Sequence, residues 1–311
     1  MRSSWRRKKT VEDKRNEWSF NNGGTFLQEL IADCNGISNP IRFFSSDQIL
    51  KATDRFDPSF NLSRRRLFTW YKGVIEDRPY AIKKFTESEF TEDFLKLLGC
   101  SLEFHLPVIV FEYPENGVLN ERGGFGCEDG PLLPWNVRLK IAVTYLHTAF
   151  SRIIIHRDIK PTNVFLDRNW SAKLTDFTFS VSPPEGKSWI EDEVMGTFGY
   201  MDPVYYTTGL VTEYIDVFSF GAFMLVLLLG RPAILVGTSG VHCNILGYVK
   251  DLQERGESVE FGINDLNDVR CSQMKMFLEL ALRCCEERNE DRPKMILVAK
   301  EIKLIEGLLD C

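Results

Sequence analysis

The sequence predicts an α+β fold in which a small β-rich lobe precedes a larger helical lobe. Two short apolar runs in the first half, residues 80–83 and 107–113, have the β-branched and aromatic composition of buried strands. Three segments in the second half have apolar side chains at a spacing of three and four residues, as amphipathic helices do. They are residues 246–255, 273–287 and 295–309. A polar loop at residues 156–163 lies between the two halves, and we expect a bilobal unit built around it.

The composition is that of a globular protein with an ordinary core. Apolar residues make up 44% of the 311 residues, and the net charge of −6 argues against nucleic-acid binding, for which a basic domain is expected. None of the eight cysteines forms a C-x-x-C pair, so we expect reduced thiols. Residues 217–230 are strongly apolar but fall short of the ~20 residues that a bilayer requires, which favours a buried helix. Because no secretory signal pattern is present, the expected location is cytoplasmic.

The loop at residues 156–163 has the residue types that phosphoryl transfer requires. Its sequence is His-Arg-Asp-Ile-Lys-Pro-Thr-Asn. In such a pattern Asp158 orients the attacking hydroxyl, Lys160 neutralises charge on the transferring phosphoryl group, and Asn163 ligates a metal ion. Asp176, which opens an Asp-Phe-Thr sequence after an apolar run, is the second expected metal ligand. Because the pattern is long and specific, a merely solvated polar loop is the weaker interpretation.

These motifs resemble those of eukaryotic protein kinases, from about residue 45 to the end of the chain. Four stretches resemble in particular a small plant subfamily of receptor-like cytoplasmic kinases and pseudokinases. They are residues 43–53, 94–104, 148–150 and 184–188. Members of that subfamily act as adaptors for an intracellular immune receptor of the NLR type. The resemblance implies a bilobal protein-kinase fold over residues 45–311, with a small β-rich N-lobe to residue 113 and a helical C-lobe from residue 114.

The residues before this domain, 1–44, are predicted to form a basic leader with a short helix at residues 25–32. Seven of the first fifteen residues are arginine or lysine. A solvated, disordered leader is the preferred interpretation, and contact with an anionic membrane surface or a nuclear-import signal are the alternatives. Residue 2 is arginine rather than the glycine that N-myristoylation needs, so we expect no such modification. Any contact with the plasma membrane would therefore be peripheral, through charge or a partner.

The resemblance implies ATP and Mg²⁺ as cofactors. Lys83 matches the lysine that contacts the nucleotide phosphates, and backbone groups at Glu112 and Tyr113 would face the adenine. Phe165, just after the catalytic loop, is assigned to the same nucleotide site. The metal ligands would be Asn163 and the aspartate of the Asp-Phe-Thr sequence.

The segment that should cover the nucleotide departs from the family. Aligned on residues 71–73, the three glycine positions carry Ser63, Arg65 and Phe68. The small apolar residue that should lie over the adenine is replaced by Trp70. Glycine serves there because a backbone without Cβ atoms can approach the phosphates closely. The bulky replacements therefore weigh against ATP binding.

The interval after Lys83 is too short for the helix that normally supplies its glutamate partner. Only residues 84–93 separate this lysine from the next expected strand, at Phe94. Three helical turns with their two connections need roughly twice that length. We predict that this C-helix is missing or truncated, either because the small lobe is remodelled or because a coding segment is absent from the sequence. The helix expected over residues 135–150 is also about two turns shorter than is usual in the family.

Residues 176–203 are the expected activation segment. Arg157 should pair with an anionic group in this segment, either a phosphorylated hydroxyl residue or an acidic side chain. The hydroxyl candidates are Ser180, Ser182, Ser188 and Thr197. The acidic candidates are Glu185, Glu191, Asp192 and Glu193. The sequence leaves these two alternatives open.

Two further contacts are expected around the activation segment. Val204 stands where the family has the glutamate partner of Arg292. Because an unpaired buried charge is costly, Arg292 should either reach Asp202 or be solvated. Asp216 resembles the carboxylate that holds the backbone of the turn at the start of the catalytic loop.

Two functions follow from these observations. The first is a catalytically impaired pseudokinase of plant innate immune signalling, an adaptor or decoy for an immune receptor that also engages kinase or effector proteins. The missing glycines and C-helix favour it, since a fold can persist for its surface after its site decays. The alternative is an active ATP-dependent serine/threonine kinase that transfers the γ-phosphate of ATP. The intact loop favours this alternative, because Lys160 followed by proline resembles the serine/threonine class, so the sequence leaves open whether the chain is an enzyme.

Overall fold

The structure is a computed structural model that describes most of the chain. The described residues are 10–19, 42–65, 67–86, 97–125, 130–145, 154–184, 186–236, 242–262 and 268–308. They divide into two compact units, which meet in the sequence between Tyr113 and Pro114. The predicted domain bounds stay a prediction. Most of the predicted leader, including the helix expected at residues 25–32, lies outside the described residues.

The N-terminal unit is built on a six-stranded sheet. Its strands are β1 (Arg42–Phe43), β2 (Asn61–Arg64), β3 (Phe68–Ile75), β4 (Arg78–Phe85), β5 (Leu97–Ser101) and β6 (Val108–Glu112). They are arranged in the order β1-β5-β6-β4-β3-β2, with β1 parallel to β5 and all other neighbours antiparallel. The two strands predicted at residues 80–83 and 107–113 are confirmed as β4 and β6, which are neighbours at the centre of the sheet.

Within the described residues, two helices accompany this sheet: α1 (residues 11–19) and α2 (Ser46–Ala52). Ser45 and Gln48 form a reciprocal capping box at the start of α2, which satisfies amide groups that its first turn would leave unpaired. Ile49 of α2 is fully buried in a cluster with Tyr71 and Ile82 of the sheet. Helix α2 therefore covers one face of the sheet.

Side chains of β3 and β4 alternate between the two faces of the sheet, as pleated strands require. Trp70 pairs with Lys83 across the two strands, and Tyr71 pairs with Ile82. Tyr71 and Ile82 point to the face that α2 covers. Trp70 and Lys83 therefore point to the opposite face, together with Phe68, which lies two residues before Trp70 on the same strand.

Strands β4 and β5 are connected by a short crossover. Both are antiparallel to β6, which lies between them, so they run parallel to each other. A parallel connection usually takes a dozen or more residues, most often with a helix. Here it takes residues 86–96, since β5 begins at Leu97 rather than at Phe94. Residues 87–96 lie outside the described residues, so the predicted loss of the C-helix stays a prediction.

The C-terminal unit is mainly helical. Its helices are α3 (Trp135–Tyr145), α4 (Pro203–Thr208), α5 (Tyr214–Leu229), α6 (Ile245–Glu254), α7 (Asp268–Cys284) and α8 (Met295–Gly307). Its strands form the antiparallel pairs β7 (Val164–Leu166) with β8 (Ala172–Leu174), β9 (Trp189–Glu191) with β10 (Leu210–Thr212), and β11 (Ile234–Val236) with β12 (His242–Asn244). The three helices predicted from apolar spacing are confirmed as α6, α7 and α8. The helix predicted from residue 135 begins there, and residues 146–150 of its expected range lie outside the described residues.

Helix α5 is the centre of the core of this unit. Every residue from Val217 to Leu229 is buried. The helix ends at Gly230, which has a left-handed φ of 65° and whose added Cβ would collide with Leu132. The apolar run at residues 217–230 is thus a core helix, as predicted. Among the described helices, none is long and apolar enough to span a membrane.

The predicted α+β class is confirmed, with a β-rich N-terminal unit and a helical C-terminal unit. The cysteines that the structure describes are free thiols, as expected. Burial raises the pKa of Cys100 and of Cys284 to about 12. Both thiols are therefore protonated at neutral pH and act as small apolar side chains of the core.

Candidate functional site

The strand pair β7–β8 brings the two predicted metal ligands next to each other. Val164 pairs with Leu174 at one end of the pair. Asn163 precedes β7 and Asp176 closely follows β8, so both lie at that end. The carbonyl of Asn163 accepts hydrogen bonds from the amide and the hydroxyl of Thr175, at 2.9 and 3.0 Å. These bonds hold the two segments together where a metal ion is expected.

Asp158 is the centre of a closed set of polar contacts. Its Oδ2 lies 2.6 Å from Nζ of Lys160 and accepts a hydrogen bond from Nδ2 of Asn163 at 3.0 Å. Its Oδ1 accepts a hydrogen bond from the hydroxyl of Thr197 at 2.5 Å. Lys160 also donates to that hydroxyl, at 2.7 Å. The structure therefore assembles the predicted residues of the catalytic loop and adds Thr197 to them.

Asp158 is held as a carboxylate. Burial raises its pKa, but the ammonium group of Lys160 and the hydroxyl of Thr197 lower it by more, so that the pKa lies below its ordinary value. The group is therefore ionised at neutral pH and oriented by several donors. Such a carboxylate can orient a hydroxyl group and accept its proton. The catalytic roles of Asp158 and Lys160 stay predictions, and the geometry is compatible with them.

Asp216 of α5 holds the backbone at the start of the loop. Its carboxylate accepts the amide of His156 at 2.7 Å and the amide of Arg157 at 2.9 Å, which confirms the predicted contact. Burial raises the pKa of Asp216, while His156 and the two amides act in the opposite direction. Arg157 has a left-handed φ of 67°. Such a conformation is costly for a residue other than glycine and persists because the surrounding contacts impose it.

Arg157 pairs with an acidic residue of the activation segment. Its guanidinium lies 3.0 Å from the carboxylate of Asp192. It also donates to the backbone carbonyls of Phe179 and Glu193 and to the hydroxyl of Tyr205. Of the two alternatives that the sequence leaves open, the structure contains the acidic one, at Asp192. Glu185, another acidic candidate, lies outside the described residues.

Arg292 has a carboxylate partner other than the usual glutamate. Asp202 binds its guanidinium through both oxygens, at 2.7 and 2.9 Å, and the two side chains are 0% and 1% exposed. Asp202 also accepts the amide of Val204 at the start of α4. The expectation that Arg292 reaches Asp202 is confirmed. The loss of the glutamate at position 204 is therefore offset by an aspartate two residues earlier.

Each residue of the Asp-Phe-Thr sequence has a backbone conformation or a side-chain contact that restricts it. Asp176 has a left-handed backbone with φ of 68°. Phe177 packs edge-on against His156, with ring centroids 4.5 Å apart. The hydroxyl of Thr178 donates to Oδ1 of Asp176 at 2.6 Å. Glycine would leave this peptide free to turn, whereas the β-branched Thr178 restricts it.

Lys83 lies in the N-terminal unit and is enclosed by aromatic rings. The residue is 0% exposed. Its Nζ lies 4.0 Å from the ring centroid of Phe68, 5.1 Å from that of Phe85 and 5.4 Å from that of Trp70. Trp70 also packs against Phe111, with ring centroids 5.1 Å apart. Two residues that replace the usual nucleotide cover, Phe68 and Trp70, therefore fill space around the lysine.

The other predicted nucleotide contacts are divided between the two units. Glu112 ends β6 and Tyr113 follows it, and both are half-buried. Lys72 lies over the ring of Tyr113, with Nζ 5.2 Å from the centroid. Phe165 is in β7 of the C-terminal unit, is 1% exposed and forms a β-bridge with Val118. The nucleotide-binding roles of these residues, and that of Lys83, stay predictions.

Thr197 is the site residue whose position the sequence does not reveal. The sequence identifies it only as a candidate for phosphorylation, whereas its hydroxyl lies between Asp158 and Lys160. The glycine before it in the sequence, Gly196, is a feature that could have indicated a close approach of Thr197 to the catalytic loop. This glycine has φ of 137°, and an added Cβ would lie 2.7 Å from the carbonyl oxygen of Arg157. Gly196 thus permits the close approach that brings Thr197 to the loop.

Asn163 and Asp176 have the donor chemistry of a magnesium site. Amide and carboxylate oxygens are the hard ligands that Mg²⁺ prefers. The side-chain nitrogen of Asn163 donates to Asp158, which leaves its oxygen as the acceptor of the group. Within the described part of the chain, acidic, histidine and cysteine side chains do not gather in groups of three or more that could hold a metal. A magnesium ion at this pair would therefore take water or phosphate oxygens to complete its six ligands.

The strand order, the loop around Asp158 and the helical unit that carries it define the class of protein. The protein kinase domain matches residues 81–303, and the chain belongs to the protein kinase family. Proteins of this family generally use ATP and Mg²⁺. The chain is 51% identical to serine/threonine-protein kinase ZRK1 of Arabidopsis thaliana, over 96% of this chain and 95% of that protein. It is 50% identical to non-functional pseudokinase ZRK2 (97% and 94%) and 48% identical to non-functional pseudokinase ZED1 (95% and 98%), both from the same plant.

Each of these three alignments is longer than this chain. The alignment with ZRK1 spans 332 positions, which is more than the 311 residues of this chain. ZRK1 therefore has residues within the aligned span for which this chain has no counterpart. The alignments with ZRK2 and ZED1, over 339 and 329 positions, have the same property. This chain is therefore internally shorter than each of these three relatives.

Proposed function

We propose that this protein is a kinase-fold adaptor or decoy of plant innate immune signalling in which phosphoryl transfer is impaired. The enclosure of Lys83 is the observation that carries the proposal. A kinase lysine must reach the nucleotide phosphates with its ammonium group. Here that group lies among the rings of Phe68, Trp70 and Phe85, and the residue is 0% exposed.

Opening this enclosure costs free energy. A cation over an aromatic face contributes roughly 0.5–2 kcal/mol, most when both groups are desolvated. Phe68 and Trp70 are 2% and 1% exposed, so moving either ring also returns a large apolar surface to water. That exposure costs about 25 cal/mol for each Å². A bound nucleotide would have to offset these terms before its phosphates gained any contact with Lys83.

The names of two relatives support impaired phosphoryl transfer. ZRK2 and ZED1 are named non-functional pseudokinases, so loss of activity occurs among proteins about as similar to this chain as ZRK1 is. By the same resemblance, the proposed partners are an intracellular immune receptor of the NLR type and kinase or effector proteins, with no nucleic acid. The proposed location is the cytoplasm, where any contact with the plasma membrane is peripheral.

An exposed aromatic pair in the C-terminal unit supports a binding role. Phe198 and Tyr206 are 69% and 54% exposed, and their ring centroids lie 6.0 Å apart. Ile234, 37% exposed, lies beside the neighbouring Gly199. Large apolar side chains that cluster at a surface often mark protein contacts. This surface is where we expect a kinase or effector protein to dock.

An active serine/threonine kinase is the second candidate, and the loop around Asp158 favours it. The carboxylate is ionised and fixed, and Lys160 lies within 2.6 Å of it. ZRK1, of comparable similarity, is named a serine/threonine-protein kinase. In this case Asp158 would orient the substrate hydroxyl, and Lys160 would neutralise the transferring phosphoryl group.

Transfer of the γ-phosphate of Mg·ATP, to itself or to a generic protein substrate, separates the two candidates. We expect the wild type to transfer no more than Asp158→Asn. Lys51→Met is the matched control for Lys83→Met, because it removes an exposed lysine of the same unit. Phosphate transfer by the wild type would refute the adaptor proposal and establish a kinase if Asp158→Asn and Lys83→Met abolish it while Lys51→Met does not. Thermal unfolding of each variant verifies that it is folded.

A further inference from the structure

The hydroxyl of Thr178 occupies one oxygen of Asp176, a predicted metal ligand. Its Oγ1 donates to Oδ1 of Asp176 at 2.6 Å, a distance typical of a charge-assisted bond between a hydroxyl and a carboxylate. Asp176 is 8% exposed, so little water competes for this oxygen. A hydrogen bond in such a surrounding is stronger than in water. The glycine that the family has at this position could not make this contact with a side chain.

Contacts on both sides of Thr178 keep this hydroxyl in place. The ring of Phe177 packs against His156, with centroids 4.5 Å apart. The carbonyl of Phe179 accepts a hydrogen bond from the guanidinium of Arg157. Both neighbours are thus anchored, and the β-branched side chain of Thr178 is stiff at χ1, which favours the observed contact with the carboxylate.

We infer that Thr178 takes the place of a metal ion at Asp176. Its hydroxyl stabilises the carboxylate in the metal-free protein and thereby weakens the binding of Mg²⁺. A contact that is stronger in the metal-free protein than in the metal-bound protein stabilises the metal-free state. It therefore lowers the affinity of the protein for the metal ion. Magnesium takes oxygen ligands at about 2.1 Å, so an ion bound through Oδ1 would have to displace the hydroxyl of Thr178 or share this oxygen with it. The inference rests on the proposed function, because a chain without nucleotide chemistry needs this motif to keep its shape without a metal.

Binding of Mn²⁺, followed by electron paramagnetic resonance, tests the inference with Mn²⁺ as the probe for Mg²⁺. Thr178→Val keeps the shape of the side chain and removes the hydroxyl, whereas Thr178→Ser keeps the hydroxyl. We expect Thr178→Val to bind Mn²⁺ about tenfold more tightly than the wild type and Thr178→Ser to match the wild type. Adding Asp176→Asn to Thr178→Val should cancel the gain, which assigns the binding to this site.

Equal or weaker binding of Mn²⁺ by Thr178→Val would overturn the inference. Thr178→Gly also lacks the hydroxyl and should show the same gain, so the test stands if the valine variant does not fold. Thermal unfolding gives a second readout. The wild type should unfold at the same temperature in EDTA and in MgCl₂, whereas Thr178→Val should gain stability in MgCl₂. Both measurements are made without nucleotide. A negative result in them overturns only the inference about Thr178, whereas the proposed function fails if the wild type transfers phosphate from Mg·ATP.

Discussion

In the C-terminal unit Asp158 is surrounded by hydrogen-bond donors, whereas in the N-terminal unit Lys83 is surrounded by aromatic rings. Lys160, Asn163 and Thr197 all contact the carboxylate of Asp158. The ammonium group of Lys83 faces ring centroids at 4.0, 5.1 and 5.4 Å. The first surrounding is the one that phosphoryl transfer requires, and we propose that the second obstructs the approach of a phosphate.

This difference distinguishes residues that stabilise the fold from residues whose only role would be to bind a nucleotide. Asp158 ties the activation segment to the loop through Thr197, and Asp216 ties the loop to α5. Removing one member of such a buried network leaves polar groups unpaired, at about 1–3 kcal/mol each. The glycines of a nucleotide cover have no comparable role in packing, so aromatic residues can replace them and fill space. An intact catalytic loop is therefore weaker support for catalysis than for the fold.

The largest expected effect falls on the buried ion pair of the C-terminal unit. Arg292→Met should lower the free energy of unfolding by about 4 kcal/mol, because Asp202 would remain buried without its partner. Chemical denaturation measures this loss. Glu301→Gln, which removes the partner of the partly exposed Arg283, is the control and should cost less than about 1 kcal/mol. A small loss in Arg292→Met would mean that the Asp202 pair does not hold the activation segment.

The next effect concerns the aromatic enclosure. Trp70→Ala should cost about 3 kcal/mol, because the indole is 1% exposed and contacts Phe111 as well as Lys83. Val74→Ala, on the same strand but 50% exposed, should cost less than about 0.5 kcal/mol. Denaturant unfolding of the two variants checks the contrast. Equal costs would show that the ring of Trp70 is not packed around the lysine.

Asp158→Asn should remove the contribution of this carboxylate to the free energy of unfolding, and that contribution depends on pH. Because the pKa of Asp158 is lowered in the folded state, its ionised form contributes fully above the unfolded pKa of about 3.9. The contribution is lost as the pH falls through the folded pKa. At neutral pH we expect the variant to be less stable by about 2 kcal/mol, since Lys160 and Thr197 lose a charged acceptor.

Urea unfolding of wild type and Asp158→Asn at a series of pH values measures this difference. It should be constant from neutral pH to about pH 4 and shrink at lower pH. A difference that stays constant to the lowest pH would contradict a lowered pKa for Asp158.

The smallest expected effect concerns the activation segment. Since Arg157 already pairs with Asp192, phosphatase treatment should not change hydrogen exchange in residues 176–203. Asp192→Asn should raise exchange in that segment while costing less than about 1 kcal/mol, because Asp192 is 39% exposed. Glu191→Gln is the control, because the exposed Glu191 lies in the same segment one residue before Asp192. Faster exchange after phosphatase treatment would show that a phosphate, rather than Asp192, holds the segment.

The sequence predicts the parts of this molecule whose signals are local. The catalytic loop is a contiguous motif, and the apolar run at residues 217–230 is longer than a typical strand and too short to span a bilayer, which favours a core helix. The contact between Arg292 and Asp202 follows from the need to pair a buried charge. These features depend on residue types and short spacings, which are visible without a structure.

The enclosure of Lys83 depends on register, which the sequence does not state. Trp70 faces Lys83 because β3 and β4 pair those two positions, and a shift of one residue would place the indole on the opposite face. The choice of Asp192 among several acidic candidates depends on the path of the activation segment. Such contacts join residues that are far apart in the chain, so no local pattern indicates them.

The reactivity of Lys83 tests the central claim most directly. A lysine-acylating reagent followed by mass spectrometry reports how accessible each lysine is in the native protein. We expect Lys83 to remain unmodified while Lys72, exposed on the neighbouring strand, reacts, and we expect Mg·ATP to change neither result. Modification of Lys83 at the rate of Lys72, with protection by Mg·ATP, would contradict the proposed enclosure and place a nucleotide at this lysine.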